Sequence, residues 1–260
     1  MFNTYEFTFA GESSISYGLV LCDLDSQSQE DTAFGNAASI IDSRTRSRIR
    51  PIHSGVSYNE EPLEFTLVFG SDRSFDRYDL QNIAMWLTGY QDYQWFSIDQ
   101  PDMDGICYRC LITSLKPISI GWLPVAFEAK VQCDCPYSYS FPVYRSWSVN
   151  GSHKYVFVNE SSIRDYIKPS LRITSSENAV QIINHSDGDR VFSFENLPGG
   201  EIEINIDNEN GIITEASGEY NLYDCFNMNF FRLVPGDNLI EIIGSCTVDM
   251  ECRFMFNTAG

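Results

Sequence analysis

The stretch Glu201-Ile202-Glu203-Ile204-Asn205-Ile206 decides the fold class of this 260-residue chain. Its isoleucines occur at every second position, which places them on one face of an extended strand and the polar side chains on the other. Turn residues enclose the stretch, with Pro198-Gly199-Gly200 before it and Asn210-Gly211 after it. This pattern is typical of a strand that lies half buried in an antiparallel sheet.

The rest of the second half repeats this alternation of short strands and turns. Upstream, Ile182-Ile183-Asn184 leads through the turn Asp187-Gly188-Asp189 into Val191-Phe192-Ser193-Phe194. Downstream, the turn Pro235–Asn238 is followed by a segment in which every second residue from Cys246 to Phe256 is apolar. Many short strands at regular turn spacing predict a β-sandwich or a barrel.

The first half of the chain is also predicted to consist mainly of strands. The strongest of these are Thr4–Phe9, with its aromatic residues on one face, and Leu63–Gly70. The one helix signal is Asp79–Leu87, where apolar residues recur at helical spacing before Gly89. Further strands are predicted at Tyr17–Cys22, Tyr93–Ile98, Ile106–Leu115 and Pro124–Cys133. The sequence therefore predicts an all-β chain with one helix.

A change in composition marks a domain junction near the middle of the chain. Proline and serine interrupt the strand pattern in Asp134–Pro142, and we place the boundary there. The predicted domains are residues 1–140 and 141–260, which fits the usual domain size of about 100–200 residues. Hydrophobic residues make up 43% of the chain, enough for two cores, and this excludes a disordered protein.

The charge and the cysteines restrict the environment and the partners. The formal net charge is −19, with −10 in residues 1–140 and −9 in residues 141–260. Such a surface repels phosphate, which argues against specific nucleic-acid binding, and it also serves solubility. No apolar run reaches the ~18–20 residues of a membrane span, and the start of the chain lacks a secretory signal. We therefore expect the eight cysteines to remain free thiols in a reducing cytoplasm.

No group of residues suggests catalysis. The three histidines, His53, His153 and His185, lie among turn residues without a neighbouring triad partner. Common motifs of hydrolases, zinc proteases and nucleotide-binding proteins do not occur. We expect neither enzyme activity nor a cofactor.

The cysteine spacing leaves zinc binding as an alternative. Cys107-x-x-Cys110 and Cys133-x-Cys135 could together supply four ligands. However, Cys107 and Cys110 fall within a predicted strand, where odd spacing directs the two sulfur atoms to opposite faces. We therefore expect no metal at these residues.

Two further features allow either a ligand or a structural role. The acidic turns Asp187–Asp189 and Asp207–Gly211 could bind calcium, although hairpin turns favour the same residues for backbone reasons. Trp147, Tyr220 and Tyr223 could stack on sugars, although aromatic residues in strands are more often part of a core. Both alternatives remain open.

An arginine series is the most specific physical feature. Arg44, Arg46, Arg48 and Arg50 are spaced by two, which predicts four like charges on one face of a strand. In a chain of net charge −19, another copy of the protein is an acidic partner. We predict that residues 42–60 form an arm whose four arginines lie at a subunit interface and make charge-assisted hydrogen bonds. The alternative is a solvated strand face.

Taken in order, several motifs resemble those of the phage distal tail protein family. The resemblance covers nearly all of the chain and rests on the order and spacing of segments that are common individually. The cysteine content and the strong acidity depart from the family pattern. The segments are Phe7–Ser14, Tyr17–Val20, Leu63–Gly70, the helix ending at Trp86-Leu87, Tyr108–Ser114, Phe127–Cys133, Pro136–Tyr139, Gly200–Ile204, Asn210–Ile213 and Phe231–Asn238.

The resemblance implies a fold and an assembly. Copies of an N-terminal β-domain with one helix would close into a hexameric ring, with a C-terminal galectin-like β-sandwich outside it. The ring would connect the tail tube protein to the tail-associated hub protein, and the sandwich would face a fibre or receptor-binding protein. The chain would then be a structural component of the virion tail tip, assembled in the cytoplasm of the bacterial host.

The resemblance also bears on DNA and on sugars. An acidic lumen would let DNA pass through the ring without specific binding. Some relatives carry sugar-binding modules at the position of the C-terminal domain. A carbohydrate-binding module for adhesion to a host glycan is therefore the alternative function.

Overall fold

The computed structural model describes residues 4–22, 38–44, 49–58, 61–101 and 103–257. They divide into two compact units, one that runs to Tyr139 and includes Asn257, and one that spans Ser140–Phe256. Strands predominate in both units, and α1 (Arg77–Thr88) is the one α-helix of the described residues. No helix in this part of the chain is long and apolar enough to cross a membrane. The predicted all-β class with one helix is confirmed.

The first unit is built on an antiparallel sheet. Its strands are β1 (Thr4–Tyr5), β2 (Phe7–Phe9), β3 (Glu12–Ser13), β4 (Val20–Cys22), β5 (Ala38–Ser43), β6 (Ile52–Tyr58), β7 (Glu64–Gly70), β8 (Gln94–Ile98), β9 (Ile106–Ile120), β10 (Leu123–Cys133) and β11 (Ser138–Ser140), which lies at the unit boundary. The main sheet has the order β1-β4-β7-β10-β9-β8-β2-β3. Strands β5 and β6 pair only with each other and form a separate hairpin.

The helix α1 begins and ends where its flanking residues require. The Asp76 carboxylate accepts hydrogen bonds from the backbone N–H groups of Tyr78 and Asp79, and the Asp79 carboxylate accepts one from the Asp76 N–H. At the other end, a Cβ atom on Gly89 would collide with the Met85 carbonyl oxygen. The helix therefore begins two residues before the predicted Asp79, because the cap lies at Asp76.

Aromatic packing joins this helix to the sheet. The Trp86 ring is buried, and its indole N–H donates a hydrogen bond to the Phe9 carbonyl oxygen at 3.1 Å. Tyr17 stacks on Trp86, with the two ring centroids 4.1 Å apart. Phe7 stacks on Phe69 at 4.4 Å beneath them. The face of Phe7 and Phe9 predicted from the sequence is thus the core face of the first unit.

The second unit is also antiparallel. Its strands are β12 (Val143–Asn159), β13 (Ser170–Ser175), β14 (Ala179–Asn184), β15 (Arg190–Glu195), β16 (Ile202–Asp207), β17 (Ile212–Glu215), β18 (Gly236–Cys252) and β19 (Met255–Phe256). The sheet has the order β15-β14-β18-β13-β16-β17, and β12 pairs with β18 along its whole length.

The long strand β18 serves both layers of this unit. Residues 240–243 pair with β14, whereas residues 246–251 pair with β13. Gly244 lies between them at φ +132°, and a Cβ there would lie 3.2 Å from the Ala179 carbonyl oxygen. The sheet can therefore fold over one core, which contains the alternating isoleucines of β16. The predicted β-sandwich is confirmed, whereas its galectin-like character stays a prediction.

Candidate functional site

The hairpin of β5 and β6 is the first candidate interaction surface. Every side chain that the structure describes from Ile40 to Ser57 is exposed. Five of them are large and apolar, namely Ile40, Ile41, Ile49, Ile52 and Val56, and Ile40 is 69% exposed. An isolated two-stranded hairpin is marginally stable in water, and exposed apolar side chains favour a covering partner. This hairpin has the composition of a docking element.

The predicted strand through the arginine series is wrong for the arginines that the structure describes. Pairing ends at Ser43 and Ile52, so Arg44 and Arg50 lie in the connection between the two strands. Both are exposed. Pro51 precedes β6 and lacks the N–H that would extend the ladder. Arg46 and Arg48 lie outside the described residues, and the role of all four at an interface stays a prediction.

The tip of the β9–β10 hairpin is the second apolar surface of the first unit. Gly121 and Trp122 form the two-residue turn with φ +57° and +70°, the signs that a type I′ turn requires. Trp122 is 98% exposed, although tryptophan is usually mostly buried. Ile120 and Leu123 flank it and are also exposed. Exposed tryptophan at a rigid turn is typical of an anchor residue in a protein interface.

The histidines do not form a catalytic triad. His53 faces Asp42 across the exposed hairpin at 3.1 Å, and His153 is exposed. His185 lies between two carboxylates, with Nδ1 at 2.6 Å from Asp189 Oδ1 and Nε2 at 2.9 Å from Glu241 Oε2. Both histidine nitrogens are therefore occupied, and neither can activate a nucleophile.

The pKa shifts of His185 and Glu241 indicate that the contact between them has a structural role. Hydrogen bonds to Asp189 and then to Glu241 raise the pKa of His185. A hydrogen bond from the Ser152 hydroxyl, followed by the one from His185, lowers the pKa of Glu241 to about 2. The Ser152 hydroxyl thus donates to a carboxylate and not to the imidazole. The contact holds β12 and β18 to the turn that follows β14.

The four cysteines considered as zinc ligands serve other roles. Cys110 and Cys133 face each other in the β9–β10 ladder and are fully buried. Burial raises the pKa of the Cys133 thiol to about 12 and also raises that of Cys110. The thiols of Cys107 and Cys135 hydrogen-bond to backbone carbonyl oxygens. Across the described ranges, no cluster of three or more histidine, cysteine, aspartate or glutamate side chains is arranged to hold a metal ion.

The acidic turns considered for calcium are likewise occupied. Asp187 accepts two hydrogen bonds from Arg232, at 2.7 and 3.0 Å, and this guanidinium lies 3.8 Å from the ring centroid of Tyr166. Asp207 accepts hydrogen bonds from the backbone N–H groups of Glu209 and Asn210. Both carboxylates stabilise their own turns and loops.

A groove of about 650 Å³, lined by both polar and apolar residues, lies on the second unit. Cross-strand pairing arranges its floor in two rows over β12, β18, β13, β16 and β17. The first row is Tyr144, Glu251, Ser170, Asp207 and Ile212. The second row is Ser146, Asp249, Arg172, Asn205 and Thr214.

The aromatic residue of this groove is not one that the sequence indicated. Trp147 packs against the core, and the Tyr223 hydroxyl donates to the Gly211 carbonyl oxygen and accepts from the Ile213 N–H. Tyr220 is exposed but does not line the groove. Tyr144 does. The period-two pattern of β12 could have identified it, since Trp147 points inward and Tyr144 therefore points outward.

Comparison with protein families gives two matches that together span most of the chain. A model described as a phage tail protein N-terminal domain matches residues 2–135. A model described as a phage tail C-terminal domain matches residues 137–252. No curated protein matches the sequence.

Solved structures with the same fold include components of phage adsorption devices. The SPP1 Dit protein, described as a paradigm of the hub adsorption apparatus of phages that infect Gram-positive bacteria, has a TM-score of 0.65 at 9% identity. That alignment covers 97% of this chain and 100% of Dit. A chain of the phage p2 baseplate in its activated conformation with Ca gives a TM-score of 0.56 at 11% identity, covering 96% of this chain and 97% of that chain. These matches establish a shared fold over both units.

Proposed function

This chain belongs to a family of phage tail proteins, and we propose that it is a distal tail protein, a structural component without enzyme activity. Six copies form a ring at the tip of the virion tail. The ring joins the tail tube protein to the tail-associated hub protein, and its outer domains hold a fibre or receptor-binding protein. The fold shared with SPP1 Dit over the whole chain supports this assignment. Assembly takes place in the host cytoplasm.

The exposed hairpin of β5 and β6 is the observation that carries the proposal. In the ring, the hairpin lies against the neighbouring copy, which covers its five apolar side chains. Complete burial of one isoleucine contributes about 1.5–3 kcal/mol. A head-to-tail contact of this kind closes into a ring when each copy supplies one hairpin and one receiving surface.

Charge supports the same contact. The cations Arg44 and Arg50 are exposed on the hairpin of a chain whose net charge is −19. An acidic surface of the next copy attracts them and fixes the orientation of the hairpin. The remaining negative charge keeps DNA from adhering as it passes through the lumen.

The tip of the β9–β10 hairpin supplies a second contact in the tail. Trp122 and its apolar neighbours pack against the adjacent tube or hub protein. An anchor tryptophan of an interface commonly contributes 2 kcal/mol or more, about 30-fold in affinity.

Electron microscopy of the full-length protein tests the assignment. We expect annular particles with six subunits, either from the protein alone or after addition of the tube and hub proteins of the same phage, and a hexamer mass in native mass spectrometry. In Trp122→Ala the ring should persist, while its attachment to the tube or hub protein should weaken. Tyr78→Ala also removes an exposed aromatic side chain, and it should change neither ring formation nor attachment. Isolated subunits in every mixture would overturn the proposal.

A further inference from the structure

Several polar side chains that line the groove on the second unit have hydrogen-bonding groups that no other described residue uses. Asp249, Glu251 and Asn205 make no side-chain hydrogen bond within the described residues, although all three line the groove. Arg172 is held only by a 3.8 Å ion pair with Glu203, with both side chains substantially exposed. These groups supply both donors and acceptors in adjacent strands, about 4.8 Å apart.

An exposed aromatic ring lies at one end of the first row. Tyr144 is 62% exposed on β12, next to Glu251 in the cross-strand register. Ile212 lies at the opposite end of the same row and is also exposed. The groove therefore combines a flat aromatic face and an aliphatic wall with a floor of hydrogen-bonding groups. Ligand sites commonly combine these properties.

We propose that this groove is a binding site for a neutral carbohydrate chain. One pyranose ring of such a chain stacks its face of C–H groups on Tyr144, and the hydroxyl groups of this ring and of the following rings pair with Asp249, Arg172 and Asn205 on successive strands. Hydroxyls donate to the carboxylates and accept from the amide and the guanidinium. Aromatic side chains suit such a ligand because they combine apolar area with rigidity.

Charge distinguishes a neutral sugar from other occupants. Three carboxylates, Asp207, Asp249 and Glu251, outnumber the two guanidinium groups of Arg145 and Arg172. A phosphate-bearing polymer would meet net repulsion there, in a chain that is already acidic. The core of a protein interface is depleted in charged residues, whereas charged groups form the floor of this groove.

A glycan array with the full-length protein tests the site independently of ring formation. The array carries neutral hexose and N-acetylhexosamine oligosaccharides, together with a glycerol phosphate polymer. We expect the neutral oligosaccharides alone to be retained. Tyr144→Ala and Asn205→Ala should each weaken binding about tenfold, the equivalent of one good hydrogen bond or stacking contact.

Tyr220→Ala is the matched control, because Tyr220 is exposed on the same unit but does not line the groove. It should bind like the unmodified protein, and all three variants should melt at the same temperature. The proposal is overturned if no neutral oligosaccharide is retained, if the phosphate polymer is retained more strongly, or if binding survives both groove substitutions. Since the array measures sugar binding and electron microscopy measures ring formation, a negative array result does not bear on the distal tail assignment.

Discussion

Replacing the apolar side chains of the β5–β6 hairpin should prevent ring closure without unfolding the subunit. We consider the triple variant Ile40→Thr, Ile49→Thr and Val56→Thr, which keeps β-branched residues suited to strands. Each Ile→Thr change removes two carbons and Val→Thr removes one, five in total. At about 0.8 kcal/mol per buried carbon, each subunit contact loses about 4 kcal/mol. That corresponds to roughly a thousandfold in the dissociation constant.

The subunit itself should be unaffected, because the three side chains are exposed in the isolated chain. Native mass spectrometry over a dilution series measures the concentration at which hexamers form, and differential scanning calorimetry measures the melting temperature. Ser43→Thr with Ser54→Thr is the control, since it alters the same hairpin without removing apolar area. Hexamers of the triple variant at the same concentration as the unmodified protein would refute the reasoning.

Three further predictions concern stability and reactivity within the units. Trp86→Ala should destabilise the protein by about 3–5 kcal/mol in chemical denaturation, because it empties a packed aromatic site, whereas Met85→Ala, one residue away and exposed, should cost far less. Because the pKa of His185 is raised above its ordinary value of 6.5, its contacts stabilise the fold fully below that pH and lose this effect as the pH rises through the folded-state pKa. The melting temperatures of the unmodified protein and His185→Gln should thus differ most in acid and converge in alkali; a constant difference would contradict this. Burial raises the pKa values of Cys133 and Cys252 to about 12, so both thiols should resist alkylation at neutral pH until denaturant is added, as peptide mapping by mass spectrometry would show.

The alternation of apolar residues was sufficient to predict the strands and much of the core. Phe7 and Phe9, and likewise the isoleucines of β16, point into the cores that their spacing predicted. The signal is strong there because one face of each strand is buried and the other is solvated. The helix was predicted for the same reason, although its start depended on the side chain of Asp76, which lies outside the apolar pattern.

The candidate surfaces were harder to predict, because they depend on which strands lie side by side. The spacing of Arg44 and Arg50 satisfies a strand pattern. However, the last pair of the hairpin is Ser43 with Ile52, so both arginines lie in the connection between the strands. The groove brings together Tyr144, Asn205 and Asp249, which lie far apart in the sequence and meet only through the strand order. Local periodicity contains no information about that order.

The position of β18 in the second unit determines when this unit can fold during synthesis. The strand spans residues 236–252 and pairs with β12, β13 and β14, so until it has been translated β12 has no partner, and β13 and β14 each have only one. The eight strands of the main order of the first unit's sheet are all present once residue 133 has left the ribosome. Nascent chains should therefore carry a folded first unit beside an open second one for about 120 residues of elongation, several seconds or more at ~5–20 residues per second. During that interval the unpaired strands are where chaperones would be expected to bind.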